Sequence, residues 1–110
     1  MQHTEYFWTS SDNLKMYGQE WKPEGKQKAA VALIHGLGEH SSRYQHVAEA
    51  FTKAGYSLTA FDLRGHGKSE GVRGHAPSNE SHFSDIRKNI DLTMEHFPGL
   101  PVFLYGHSLG

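Results

Sequence analysis

The last five residues, Gly106-His107-Ser108-Leu109-Gly110, read G-x-S-x-G and directly follow the apolar run Val102-Phe103-Leu104-Tyr105. A serine flanked by glycines at that spacing, straight after a strand, is the pattern of a nucleophile elbow, a sharp strand-to-helix turn that lifts a hydroxyl clear of a parallel sheet. Gly106 and Gly110 keep the strained turn free of a clashing Cβ. The chemistry such a turn serves is acyl transfer, with Ser108 as candidate nucleophile. An unassisted serine hydroxyl attacks poorly near neutral pH, so a histidine base oriented by a carboxylate is required. In this arrangement acid and base follow the serine along the chain, which puts both beyond Gly110. His107, next to Ser108 in the turn, is expected to point away as scaffold.

Acyl transfer also needs backbone N–H donors aimed at the oxyanion of the tetrahedral intermediate, each worth roughly 10²–10³-fold in rate. One donor is the residue after the nucleophile, Leu109. The other comes from a loop after an earlier strand, and His35-Gly36-Leu37-Gly38 follows such a strand, with Leu37 as the candidate amide. Gly36 and Gly38 let that backbone turn, and His35 and His40 are expected to shape the loop, His35 as hydrogen-bonded scaffold. The nine histidines also suggest metal ligation, with His35, His40, His46, His66, His75 and His82 in play. No H-E-x-x-H or cysteine pair accompanies them, so no metal site is expected. Phosphate binding is disfavoured too. Gly36-Leu37-Gly38 does not complete G-x-G-x-x-G, and Gly65-His66-Gly67-Lys68-Ser69 lacks the first glycine of a P-loop, Asp62 standing in its place.

Elements that would hold these residues can be read from periodicity. Residues 4–9 and 14–19 form an antiparallel hairpin around the turn formers Ser10–Asn13, solvated on one face. Ala29–Ile34 and Tyr56–Phe61 are apolar throughout, as suits strands buried in a parallel sheet. Between them lies a helix capped by Ser41-Ser42, with Tyr44, Val47, Ala48 and Phe51 inward and Gly55 as its stop. Asp62 to about Glu80 is a long aperiodic loop, functional or disordered. A second helix starts at Pro77–Glu80, buries the stripe Phe83, Ile86, Ile90, Met94 and Phe97, and ends at Pro98-Gly99. Val102–Tyr105 is the last strand. Strand-helix alternation after a hairpin predicts an α/β fold with right-handed crossovers, whose ligand loops leave the C-terminal ends of the parallel strands. His35, Asp62 and Gly106 begin three such loops.

The 110 residues allow at most one domain, and 36% hydrophobic with 12 glycines is an ordinary globular composition. A net charge of −1 offers no strong field to nucleic acid, and the absence of cysteine excludes a disulfide framework. The N-terminus lacks a secretory pattern, and no apolar run reaches the ~20 residues of a membrane span. A cytoplasmic location is the expectation.

Assembled, the stretches His35–Tyr44 (H-G-L-G-E-H-S-S-R-Y), Phe61–Gly71 (F-D-L-R-G-H-G-K-S-E-G), Arg73–His75 and Pro101–Gly110 carry a resemblance. The chain resembles the α/β-hydrolase superfamily, and within it the monoacylglycerol lipase and lysophospholipase group. The resemblance implies a serine hydrolase that cleaves the ester of a single-chain glycerolipid without metal or cofactor, with Ser108 as nucleophile and the Leu37 and Leu109 amides as oxyanion hole. It also implies a cap over the acyl site, transient membrane-surface contact through that cap, and no obligate protein partner. Cap, acid and base would all follow Gly110. The expectation is thus a single incomplete domain, the N-terminal half of the fold, inactive alone, with some of Val31, Leu33, Leu58, Phe61 and Phe103 left uncovered. A broader carboxylesterase, lactonase or acyltransferase, and a non-catalytic binding protein of the same fold, remain open alternatives.

Overall fold

The computed structural model describes residues 1–73 and 78–106. Its elements are β1 (Gln2–Thr9), β2 (Lys15–Lys22), β3 (Ala30–Ile34), a 3₁₀ turn (Ser41–Tyr44), α1 (Gln45–Lys53), β4 (Ser57–Phe61), α2 (Asn79–His96) and β5 (Val102–Gly106). The five strands form one sheet in the order β1-β2-β4-β3-β5. β1 and β2 pair antiparallel and β2 meets β4 antiparallel, while β3 is parallel to both β4 and β5. This is the α/β class expected: a hairpin leading into a mostly parallel sheet with flanking helices, the partial core of an α/β-hydrolase fold.

Side chains of alternate strand positions feed two cores. One collects Trp21, Val31, Leu33, Leu58 and Ala60 against Tyr44 and Ala48, with Val47 and Phe51 of α1 packed on it. The other collects Trp8, Met16, Ile34, Phe61 and Leu63, with Ile86 and Leu92 of α2 against it. α1 and α2 therefore cover opposite faces. Each large apolar side chain sealed in this way contributes roughly 1.5–3 kcal/mol.

The two-sided cover corrects one expectation and the entry to α1 another. β2 is not solvated on one face: Met16–Trp21 are all buried, because β2 lies between β1 and β4 and both faces carry cover. Of the five apolar residues expected in part to be uncovered, Val31, Leu33, Leu58 and Phe61 are buried. Only Phe103 is exposed, because β5 is the edge strand. Ser41 and Ser42 do not cap α1, whose N-cap is Tyr44 without a side-chain bond. Their hydroxyls instead accept from the Gln19 amide at 2.7 and 2.9 Å, tying the turn to β2.

The largest departure is in α2. Ser78 caps it as expected, accepting from the Ser81 N–H. The face turned to the sheet, however, is His82, Asp85, Asn89 and Thr93, while Phe83 and Met94 of the anticipated stripe are exposed. Ile86 and Phe97 of that stripe do pack inward. The sheet surface under α2 is itself polar, which selects this rotation. Tyr6 OH donates to Asn89 Oδ1 at 2.8 Å, and the Thr59 and Thr93 hydroxyls meet at 2.8 Å. Asp85 takes two bonds from Arg64 at 2.8 and 3.0 Å, and His96 meets Glu20 at 3.0 Å. Rolling the apolar stripe inward would strand these groups, each at a cost comparable to a lost buried hydrogen bond.

Candidate active site

The three parallel strands end level with one another. Ile34 at the end of β3 lies opposite Phe61 of β4 on one side and Gly106 of β5 on the other. With strands about 4.8 Å apart, the loops beginning at His35, at Asp62 and after Gly106 leave from adjacent points on one sheet edge. That common origin is the frame of the site. His107, Ser108, Leu109 and Gly110 lie outside the described residues, as does His75.

Gly36-Leu37-Gly38-Glu39 is a tight turn, closed by the Glu39 N–H donating to the Gly36 carbonyl at 3.1 Å. Gly38, third in the turn, has φ +82, the left-handed conformation that a type II turn demands at that position and that glycine supplies without strain. Nearly every amide here is engaged. The Gly36 N–H donates to Glu39 Oε2 at 2.9 Å, and the Gly38 N–H to His66 Nε2 at 3.0 Å. Among the described residues the Leu37 N–H has no partner, and the Leu37 side chain is 44% exposed. In a trans peptide the N–H points opposite the preceding carbonyl. The Gly36 carbonyl is held by His35 Nδ1 at 2.7 Å and by Glu39, which turns the Leu37 N–H the other way.

His35 is fully buried and hydrogen-bonded through both ring nitrogens. Its Nε2 accepts the Leu63 N–H at 2.9 Å, so Nδ1 carries the proton given to Gly36. Burial holds its pKa below the ordinary histidine value, against the opposing pull of the Gly36 carbonyl and the Asp62 charge. Glu39 also accepts from Tyr44 OH, and burial together with that carboxylate pushes the phenol up to about 12. His40 is exposed and takes no part in these bonds.

The second loop was expected only to be long and aperiodic, functional or disordered. Its stretch Asp62–Ser69 is held by side-chain bonds. Asp62, buried, accepts from the Ser41 N–H at 2.6 Å and the Lys68 N–H at 2.9 Å. The Ser69 hydroxyl donates to the Asp62 carbonyl while accepting the Tyr17 N–H at 3.0 Å. Gly67 (φ +49) is required here, since a Cβ would stand 2.2 Å from Asp62 Oδ2. Ser41–Asp62, Gly38–His66 and His35–Leu63 thus lace the first loop to the second. The supporting roles of Asp62, His66 and Ser69 emerge from these contacts. An acidic residue followed by closely spaced glycines was the available signal, because such a carboxylate gathers the amides of a turn. Among the described residues no group of three or more His, Asp or Glu is placed to hold a metal ion, and no helix is long and apolar enough to cross a membrane.

This architecture is shared with known proteins. A protein from Dictyostelium discoideum described as an uncharacterized abhydrolase domain-containing protein is 48% identical over 92% of this chain and 10% of its own length. Human monoglyceride lipase is 38% identical over 92% of the chain and 33% of its own. A thermostable carboxyl esterase from Bacillus coagulans, solved with glycerol, superposes with a TM-score of 0.87 at 29% identity, over 100% of this chain and 37% of its own. The chain thus spans about a third of the human lipase and a tenth of the Dictyostelium protein. The profile of the family described as serine aminopeptidase, S33, matches residues 25–110. Taken with the sheet order and the level strand ends, that match means that the chain belongs to the serine aminopeptidase S33 family of α/β-hydrolases.

Proposed function

We propose that this chain carries the nucleophile and oxyanion hole of a serine ester hydrolase acting on single-chain glycerolipids. Ser108 is the nucleophile, and the amides of Leu37 and Leu109 receive the oxyanion. The observation that carries this reading is the Leu37 N–H, which has no partner among the described residues in a turn whose other amides are engaged. Leu37 is exposed, so its amide is open to an incoming acceptor, as an oxyanion donor must be. Gly106, where the G-x-S-x-G sequence begins, lies opposite Ile34, three residues before Leu37.

The chemistry is acyl transfer in two halves. Ser108 Oγ attacks the ester carbonyl carbon as its proton passes to a histidine, and the carbonyl oxygen, now anionic, takes hydrogen bonds from the two amides. The C–O bond to the glycerol breaks, the histidine returns the proton to the departing alkoxide, and water then releases the fatty acid by the same route. Histidine and its carboxylate would come from residues after Gly110. An ester rather than a peptide substrate is favoured because relatives 34–38% identical are monoglyceride or monoacylglycerol lipases. A fatty monoester would be met at the membrane surface from the cytoplasmic side. A broader carboxylesterase, an acyltransferase or a non-catalytic protein of the same fold is the competing reading.

The test is hydrolysis of a monoacylglycerol and of an aminoacyl amide by the complete polypeptide, with Ser108→Ala as control. Ester turnover that Ser108→Ala abolishes is expected. Turnover of the amide alone, or ester turnover that survives the substitution, would contradict the reading.

A further inference from the structure

We propose that His66 is a positioning residue for the oxyanion loop, an inference that rests on the role given above to the Leu37 amide. His66 comes from the loop after β4, yet among the described residues its one side-chain bond outside that loop is to the loop after β3. Its Nε2 accepts the Gly38 N–H at 3.0 Å, and its Nδ1 lies 3.0 Å from the Arg64 carbonyl. The two bonds fix the tautomer. An amide can only donate, so Nε2 is bare, and a carbonyl can only accept, so Nδ1 carries the proton. The ring is 4% exposed and stands 5.6 Å from His35, itself locked in the same tautomer.

The geometry points to a division of labour. His35 holds the Gly36 carbonyl, which lies on the near side of the Leu37 amide. His66 holds the Gly38 N–H on the far side. Leu37 is therefore suspended between two clamped peptides, one fixed through its oxygen and one through its nitrogen. Remove the His66 acceptor and the peptide between Leu37 and Gly38 loses its clamp, leaving the Leu37 N–H aimed only through the Gly36 carbonyl. Arg64, whose carbonyl orients the ring, is in turn pinned at both ends of its guanidinium by Asp12 and Asp85. The chain of support runs from α2 and the β1–β2 turn, through Arg64 and His66, to Gly38.

Because the role is to aim a donor at a charge that exists only in the transition state, loss of His66 should appear in kcat rather than KM. In the complete polypeptide, His66→Leu, which offers no acceptor, is expected to lower kcat about 10²-fold while KM moves less than about threefold. His66→Gln, whose Oε1 can stand near the Nε2 position, should recover kcat to within about fivefold of the parent. Equal impairment of the two variants, or an unaltered kcat in His66→Leu, would overturn the proposal. Should His66→Leu fail to fold, the readout moves to the unsubstituted chain labelled with ¹⁵N-histidine. The expected spectrum shows His66 protonated at Nδ1 and bare at Nε2, and an Nε2–H tautomer would overturn the proposal. Failure of the esterase reading would look different. Activity surviving Ser108→Ala would remove the catalytic meaning of the loop while leaving the imidazole spectrum as found.

Discussion

At the scale of single residues, the site depends on atoms that leave no room for substitution, and the two loop glycines illustrate two different reasons. Gly38 needs only its left-handed backbone, since a Cβ there would meet nothing within 4 Å. Gly38→Ala should cost about 1–2 kcal/mol, the penalty of that conformation for an L-residue. Gly67 carries both the conformation and a collision with the Asp62 carboxylate. Gly67→Ala should cost more, about 3 kcal/mol, because it also pries Asp62 from the Ser41 and Lys68 amides. Urea unfolding of the two variants would check the order, and equal losses would count against the Asp62 clip. His35 supplies a pH signature. Its folded pKa lies below the ordinary value of about 6.5, chiefly through burial, so below that pH the unfolded chain binds the extra proton and the native state does not. Its contribution is complete above about pH 6.5 and is lost as the pH falls toward the folded pKa. The urea midpoint should drop with acidification over that window, and His35→Gln should flatten the drop.

At the scale of elements, α2 shows most clearly what a sequence conceals. Its anticipated stripe Phe83-Ile86-Ile90-Met94-Phe97 and its actual inner face His82-Asp85-Asn89-Thr93 are both at helical spacing, one residue apart. Hydrophobicity chose the first; the polar sheet surface of Tyr6, Glu20 and Thr59 chose the second, and nothing local to α2 announces that surface. The strands, by contrast, were legible within a few residues, because unbroken apolar runs such as Val31–Ile34 have few other places to go. The loop at Asp62 was legible as aperiodic and nothing more, since its order comes from side chains reaching Tyr17, Ser41 and Gly38 across the fold. The polar docking of α2 makes a prediction of its own. Arg64→Leu leaves the Asp85 carboxylate, 3% exposed, without its partner and should cost about 3–5 kcal/mol. Asp12→Ala, at a carboxylate that is 54% exposed, should cost a small fraction of that. Arg64→Leu combined with Asp85→Leu should recover much of the stability. Thermal or urea denaturation of the three variants decides it, and additive losses in the double variant would show that the ion pair is not what seats the helix.

At the scale of the whole molecule, the sheet is covered on both faces by α1 and α2 but ends at β5 in exposed Phe103, Leu104 and Tyr105. Phe83 and Met94 of α2 are exposed as well. An apolar strand edge of this kind favours association. The 110-residue chain should therefore self-associate with rising concentration, and Phe103→Lys with Leu104→Glu should suppress this in sedimentation experiments. A monomer at all concentrations would mean that the edge is protected by something else. The strands β4, β3 and β5 end level with one another, which is the frame of the candidate site. The loops after β4 and β3 are laced together by His35, Asp62 and His66, and β5 ends at Gly106, level with them. G-x-S-x-G and H-G-L-G are legible in the sequence, but that His66 of the loop after β4 joins the H-G-L-G loop is visible only once the chain is folded. The most direct measurement is a structure of the complete polypeptide after reaction with a fluorophosphonate. The account predicts phosphorus bonded to Ser108 Oγ, with the phosphonyl oxygen about 2.7–3.1 Å from the Leu37 and Leu109 nitrogens. A Leu37 N–H turned away from that oxygen, or a label on any other residue, would contradict it.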